Sequence, residues 1–448
     1  MSSGARPSVR IEKLNLFDEG FVDIDTPREP WSIQLEVRAS GTLDAARLES
    51  AIRAAAGSHP MMRARLRQRR LGEWRRTWEI HPDLDDVPLE VVDASSPDEL
   101  AEARSAAFSE CPSLDGPAPF ALTLVRSPKG DYLLLNVHHA AADGVGTLRF
   151  LSSVIRHYAG KRDPIPDIDP LSVRDLAALV GSASMTERIR RGTALLEHLG
   201  TAATPPARVA SQTGNRRRPG YGFVTIELDG EQAESVARRK GEGTLNDVFL
   251  AALARAVALW NDAHAVERAR VAIMMPVNLR PAEWWHEVIA NFASYVAVSV
   301  PPPAQRDFPK ALAAVTAQTR RFKQAGTAGL LVDLLVLRDL VPPLMRQQMA
   351  ALLPLAGTRI IDTTMLSNLG RLPDTPNFGA SGGKVREVWF SPPAPMPLGV
   401  SVGVATLGDR MYLTIRYRRA LFDAAAAAEF AALFRKELVG RSTRKERT

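Results

Sequence analysis

Apolar positions along this chain follow two rhythms, and each marks a class of element. Between Thr42 and Ala56, the residues Leu43, Leu48, Ile52 and Ala55 fall on one stripe with a period of about 3.6 residues. This predicts an amphipathic helix with Thr42 as its N-cap and His59-Pro60 as its end. Met62 to Gln68 instead alternates with a period of two, turns near Leu71-Gly72 and returns as Trp74 to Ile80, the pattern of a hairpin with arginines on one face. That face is either a solvated strand surface or a docking surface for an acidic carrier. Tyr132 to Val137 is an almost continuous apolar run bounded by Pro128-Lys129-Gly130-Asp131, so it predicts a strand covered on both faces, paired with Phe120 to Val125.

The same reasoning divides the chain. Helices are expected over 98–109 and from Leu148 to Tyr158, after which the prolines of Lys161 to Pro166 forbid regular structure. The boundary is placed there: 1–162 is one lobe, 163–220 a linker with helical pieces over 170–200, and 221–448 a second lobe. Ala203 to Pro219, rich in Pro, Gly, Ser, Asn and Arg, is expected to be mobile. The second lobe opens with a strand from Tyr221 to Leu228 and helices from Gly230 to Lys240 and Thr244 to Trp260, Thr244 and Asp247 approximating a capping box. Strands follow at Val271–Pro276, Asn291–Val300, Thr363–Asn368, Val385–Phe390, Leu398–Thr406 and Arg410–Tyr417, and a helix at Ala424–Leu438. The fold class is therefore α/β (α+β) in two lobes, as expected of 448 residues, more than one hydrophobic core usually serves.

Composition narrows the function. With 45% hydrophobic residues the chain can fill both cores, and its single cysteine, Cys111, excludes an internal disulfide. The start MSSGARPSVR lacks the apolar core of a signal peptide, so a cytoplasmic location is expected. Leu330 to Leu355 is the longest apolar region, but Asp333, Arg338, Asp339, Pro342-Pro343 and Arg346 interrupt it, whereas a membrane span needs about 20 apolar residues in a row. It predicts two helices packed on the core and no transmembrane segment, with peripheral membrane contact left open. The net charge of +7 comes mainly from arginine. No aromatic-interleaved basic tract or zinc-finger spacing accompanies it, which argues against nucleic acid and for smaller anionic partners.

The chemistry concentrates at HHAAADG, residues 138–144, where the buried strand meets a helix-prone segment. Successive strand side chains point to opposite faces, so His138 and His139 cannot share one role: one packs and one reacts. An imidazole with its ordinary pKa of about 6.5 is mostly uncharged at neutral pH and can accept a proton. His138, His139 and Asp143 are also possible metal ligands. A zinc site needs converging ligands, adjacent strand residues diverge, and no HExxH or CxxC is present, so no metal is expected.

His138, His139, Asp143 and Gly144 reproduce an HHxxxDG signature. With Met275-Pro276-Val277-Asn278-Leu279-Arg280-Pro281, Leu366-Ser367-Asn368-Leu369-Gly370-Arg371 and the helix opening Thr244 to Phe249, they make the chain resemble the HHxxxDG acyltransferase superfamily from about Val9 to Leu438. That superfamily holds nonribosomal-peptide condensation domains, polyketide-associated acyltransferases, wax ester synthases and chloramphenicol acetyltransferase. The resemblance implies two chloramphenicol-acetyltransferase-like lobes in a V-shaped arrangement with an active-site tunnel between them. It implies an acyltransferase that moves an acyl group from acyl-CoA or an acyl or peptidyl carrier protein onto a small-molecule alcohol or amine, in lipid or natural-product metabolism. The thioester of CoA or phosphopantetheine is then a co-substrate, with no permanently bound cofactor, and a monomer is expected.

Roles follow from the resemblance residue by residue. His139 is the general base; Gly144 lets the backbone approach the thioester, where its N–H could bind the oxyanion. Asp143 turns away from the base towards Arg280 of the other lobe, and His138 is structural. Ser367 and Asn368 are candidate substrate donors, although Asn368 could equally cap the turn at Gly370. Trp284, with Trp285 and His286, either walls the acceptor pocket or packs in the core. The SNLGRL form differs from that usual in wax ester synthases. Two alternatives stay open: a free-standing condensation enzyme forming an amide between carrier-bound substrates, and a catalytically silent condensation-like scaffold. Intact His139, Asp143, Gly144 and Arg280 count against the scaffold.

Overall fold

The computed structural model describes residues 8–440 apart from 71–72, 166, 183, 185, 188, 194–203, 285–286, 339–340, 343–344 and 346–361. The first half runs β1 (Arg10–Lys13), α1 (Leu16–Ile24), β2 (Ser32–Ala39), α2 (Ala45–Ser58), β3 (Ala64–Leu66), β4 (Thr77–Ile80), β5 (Leu89–Asp93), α3 (Pro97–Ser109), β6 (Phe120–Arg126), β7 (Tyr132–His138), α4 (Gly144–Tyr158) and α5 (Leu176–Val180). The second runs β8 (Tyr221–Leu228), α6 (Gly230–Arg238), α7 (Leu245–Ala263), β9 (Val271–Asn278), β10 (Ala293–Val300), α8 (Phe308–Ala325), α9 (Leu330–Arg338), β11 (Thr364–Arg371), β12 (Val385–Ser391), β13 (Val400–Leu407), β14 (Arg410–Arg418) and α10 (Ala424–Val439).

These elements form two lobes, each a sheet backed by helices. One sheet has the order β12-β2-β7-β6-β5, with β7 at its centre and buried along its whole length. The other has the order β10-β9-β11-β13-β14-β8, and a small sheet, β1-β4-β3, lies beside them. Leu48, Ile52 and Ala55 of α2 and Phe150, Leu151 and Val154 of α4 fill the first core; Phe249, Leu253 and Val257 of α7 and Phe430 and Phe434 of α10 fill the second. The mixed helix and strand class read from periodicity is the class observed.

Several local expectations are corrected by hydrogen bonds that periodicity does not show. The N-cap of α2 is Asp44, whose carboxylate accepts the Arg47 N–H at 2.7 Å, in place of Thr42. Helix α4 begins at Gly144, before the expected Leu148, because Asp143 caps it. On α7 the capping box of Thr244 and Asp247 is present as read. The stretch over 203–219 expected to be mobile is tied down where it is described: Ala207, Val209 and Ala210 are buried against the second core, and the Ala210 N–H meets Asn261 Oδ1 at 2.9 Å. The first of the two helices expected over 330–355 is α9; the second falls mostly outside the described residues. Among the described residues no helix is long and apolar enough to cross a membrane.

The hairpin over 62–80 also forms, but its arginines are engaged within the fold. Arg63 donates to the main-chain carbonyls of Ala56, His81 and Pro82, Arg65 lies 3.4 Å from Asp85, and Arg67 pairs with Glu73. Half-buried guanidinium groups engaged in this way are neither a plain solvated face nor a free docking surface.

Strand β12, expected among the strands of the second lobe, pairs antiparallel with β2 at the edge of the first sheet, Trp389 opposite Glu36 and Phe390 opposite Leu35. Alternation identifies a strand without naming its partner, which is why the sequence pattern missed the exchange. The exchanged strand touches the second sheet through β13 at Gly403, where an added Cβ would lie 1.9 Å from the Phe390 carbonyl oxygen. Glycine is required there by backbone contact rather than by φ. Gly403→Ala is accordingly expected to cost about 1–3 kcal/mol, the usual range for overpacking, read as a lower urea midpoint. Gly57→Ala, where nothing lies within 4 Å of the new methyl group, should leave the midpoint unreduced.

Candidate functional site

The motif loop is assembled from the end of β7 outwards. The His138 N–H donates to the Pro119 carbonyl at 2.8 Å, the His139 N–H to the Trp31 carbonyl at 2.9 Å, and the Ala141 N–H to the His138 carbonyl at 2.9 Å. Ala140, Ala141 and Ala142 are fully buried, so only methyl-sized side chains fit where the loop turns into α4. Every main-chain direction at the two histidines is therefore set by packing.

Asp143 closes the turn. Its Oδ1 accepts the Gly146 N–H at 2.7 Å as the cap of α4, and its Oδ2 accepts the Phe292 N–H at 2.9 Å. Both oxygens also meet Arg280 Nη2, at 3.0 and 3.1 Å, and that same nitrogen donates to the Ala290 carbonyl at 3.3 Å. Both side chains are almost wholly buried, at 3% and 0% exposure, and the guanidinium lies over the Phe292 ring at 4.7 Å. The first lobe's motif is thereby fastened to Arg280, just after β9, and to the segment entering β10.

The histidines divide as strand geometry requires. His138 Nδ1 accepts the Ala140 N–H at 3.0 Å, so the neutral ring carries its proton on Nε2, which lies 3.6 Å from an Asp25 oxygen. Asp25, Cys111 and His138 bring three possible metal-ligand atoms within 4.8 Å of one another. The donor set does not suit a metal. A ligating histidine donates its other ring nitrogen outwards, and here that nitrogen accepts, while burial and the neighbouring Asp25 push the Cys111 thiol up, away from the thiolate a metal needs.

His139 faces the other way. It is 8% exposed, its ring stacks on Phe21, and Asn291 donates its side-chain amide to the His139 carbonyl. Burial lowers its pKa to about 4, with His138 adding to the effect and its own carbonyl, Asp143 and Asn291 opposing it. The imidazole is thus uncharged throughout the neutral range. Since the Asp143 carboxylate is occupied by Arg280 and two main-chain N–H groups, His139 has no acid partner of the catalytic-triad kind among the described residues.

Gly144 is the first residue of α4. A Cβ on it would lie 2.8 Å from Leu369 Cδ2 and 3.4 Å from the Phe390 ring, so its bare backbone faces the second lobe's β11 and the exchanged β12. Ser367 and Asn368 are half-buried on β11, Ser367 opposite Gly403. Asn368 Oδ1 accepts the Gly370 N–H at 2.8 Å, and Gly370 has φ +78°, so the turn-capping role is realised. Trp284 is half-buried against the small core of Leu16, Phe17, Val288, Ala290 and Phe292. Trp285 and His286 lie outside the described residues. Asp143 with Arg280 and Gly144 with Leu369 thus meet around the start of α4, shortly after His139 in sequence, whereas His138 points towards Asp25 and Trp284 packs on the small core.

Reasoning from sequence missed Phe21, Trp31, Asp25 and Asn291. Phe21 sits in a helix far from any motif, and nothing in its neighbourhood marks it. Asn291 could have been suspected as a polar residue followed by an apolar strand shortly after Arg280.

Residues 23–440 match the family model described as Condensation domain. The chain belongs to the condensation-domain family. An uncharacterized protein of Mycobacterium tuberculosis H37Rv, Rv2305, is 38% identical over 431 residues, covering 95% of this chain and 99% of that one. Among solved structures, TRI3 trichothecene 15-O-acetyltransferase from Fusarium sporotrichioides superposes with a TM-score of 0.67 at 14% identity, over 98% of this chain and 96% of the other. A mutant starter condensation domain of rhizomide synthetase RzmA, in complex with C8-CoA and Leu-SNAC, gives a TM-score of 0.66 at 16% identity, over 96% and 94%. At these identities the two structures establish the shared fold, and family membership supports acyl transfer in general.

The geometry assigns Asp143 a structural load. Replacing it by alanine strands the buried Arg280 charge and removes the α4 cap, so Asp143→Ala should lose about 3–5 kcal/mol in chemical denaturation, the range for a broken buried pair.

Proposed function

We propose that this condensation-domain protein transfers an acyl group from a thioester, acyl-CoA or an acyl carrier protein, to a hydroxyl or amine, with His139 as general base. The observation that carries the reading is a buried imidazole kept uncharged at the end of β7 while the adjacent carboxylate is tied to Arg280. A base held in this state can take a proton without first losing one. Relatives of the same fold that act on acyl groups or bind C8-CoA support the thioester donor.

In this mechanism His139 removes the proton from the acceptor O–H or N–H as the oxygen or nitrogen attacks the thioester carbonyl carbon. The carbonyl electron pair moves to oxygen, and that oxyanion forms at the start of α4. There the first N–H groups of the helix lack intrahelical acceptors and the helix dipole is positive. Gly144 supplies such an N–H and no side chain to obstruct the approach. Collapse of the intermediate expels the thiolate, which recovers the proton from the imidazolium, leaving an ester or amide and a free thiol. Ser367 serves as a substrate donor on the facing strand, and Asn368 is committed to its turn.

The direct test is release of free thiol from a panel of acyl-CoAs and acyl carrier proteins with mixed alcohol and amine acceptors. His139→Ala should lower turnover about 10²- to 10⁴-fold with an unchanged melting temperature. Equal release from both proteins, or none with any donor, would favour the scaffold. Because burial depresses the His139 pKa, protonation disables the base only as pH falls towards about 4. The acid limb of kcat/KM should therefore lie near there, well below the ordinary imidazole value of about 6.5.

A further inference from the structure

Helix α1 contributes nothing to the motif, yet it lays an aromatic ring on the base. The Phe21 ring lies nearly parallel to the His139 imidazole, with centroids 3.8 Å apart and planes inclined by 14°, and Trp31 backs Phe21 at 5.7 Å. The helix that carries Phe21 is fixed by its own acidic residues. Asp18 accepts the Trp78 indole N–H at 3.0 Å and pairs with buried Arg174. Glu19 accepts the Arg76 main-chain N–H at 3.0 Å and lies 3.5 Å from Arg69, and Asp23 pairs with the Arg76 guanidinium. Asn15 opens α1 with a capping box and donates to the Asn291 carbonyl at 3.3 Å, while Asn291 in turn holds the His139 carbonyl. One assembly therefore grips both the ring and the main chain of His139.

We propose that Phe21 is a positioning residue for the general base: its ring fixes the plane of the His139 imidazole and keeps water from that face. The proposal rests on His139 as the base and adds a residue that acts through it. Imidazole χ2 is a broad torsion, and the buried Nδ1 of His139 has no hydrogen-bond partner among the described residues, so the ring is oriented chiefly by what packs on its face. Phe21 supplies that face, and the four carboxylates of the helix and its cap are directed elsewhere, Asp18, Glu19 and Asp23 to arginines and Asp25 to His138 and the Trp31 N–H. The remaining groups facing the ring are Asp143, held by Arg280, with His138 and the neutral Asn291. Water entering in place of Phe21 would solvate the imidazolium and make the charged form easier to reach.

The experiment is an NMR titration of the full-length chain with isotope-labelled histidine and no substrate, His139→Ala identifying the resonance, followed by kcat and KM against pH. In Phe21→Ala the His139 midpoint should rise by about one unit or more towards its ordinary value, the acid limb of kcat/KM should move with it, and kcat should fall about 10- to 100-fold with KM little changed. Phe21→Tyr, which keeps the ring, should stay near wild type; Phe21→Leu serves where the alanine variant does not fold, with the same direction expected. An unmoved His139 titration in a folded Phe21→Ala or Phe21→Leu protein, or a tyrosine variant as impaired as alanine, overturns the stacking role. Turnover indifferent to His139→Ala would instead overturn the base assignment itself.

Discussion

The contact between Asp143 and Arg280 is the constraint on which the rest of the site depends. It joins residues far apart in sequence, is buried on both sides, and is reinforced by further bonds to Gly146, Phe292 and Ala290, those on the Arg280 side all made through Nη2. A buried pair of this kind adds little net stability over apolar residues of similar volume, but losing either partner is costly. Its role here is registration. It sets where α4 begins, which way the carboxylate faces, and how the segment entering β10 lies against the histidine loop.

Given that registration, the division of labour between the two histidines needs no further device. His138 spends its ring nitrogens on Ala140 and Asp25, while His139, one residue on, is buried against Phe21, where its charge is disfavoured. The carboxylate immediately after the three alanines is near enough to be mistaken for a triad acid, and its bonds to Arg280 are what remove it from that role. Electrostatic preference at this site thus comes from burial more than from a paired charge.

Much of this was legible in the chain. Long periodic segments such as α2, α7 and β7 announce themselves because burial of one face or both leaves a regular imprint, and the motif residues stand at a strand-to-helix junction that two independent patterns define. The pairing of Asp143 with Arg280 came from resemblance, and the structure places the two in contact. What could not be read are relations without a local period: that β12 joins the first sheet, that Asp44 and not Thr42 caps α2, that the coil near Ala207 is pinned to the second core, and that Phe21 reaches His139. Each depends on a contact between distant segments, and alternation or helical spacing carries no address for its partner.

The exchange of β12 has a consequence for how the molecule comes to exist. Trp389 pairs opposite Glu36 and Phe390 opposite Leu35, so the edge of the sheet built from the first part of the chain is supplied near its end. A nascent chain leaving the ribosome in order must hold β2 with one edge unpaired until most of the protein has emerged, and pairings so distant in sequence form slowly. The lobe that carries the histidines therefore cannot be finished until much of the lobe that faces it has been synthesised. Truncation from the C-terminal end would leave an open, apolar-flanked strand edge rather than a smaller working domain, and such edges are sites of aggregation.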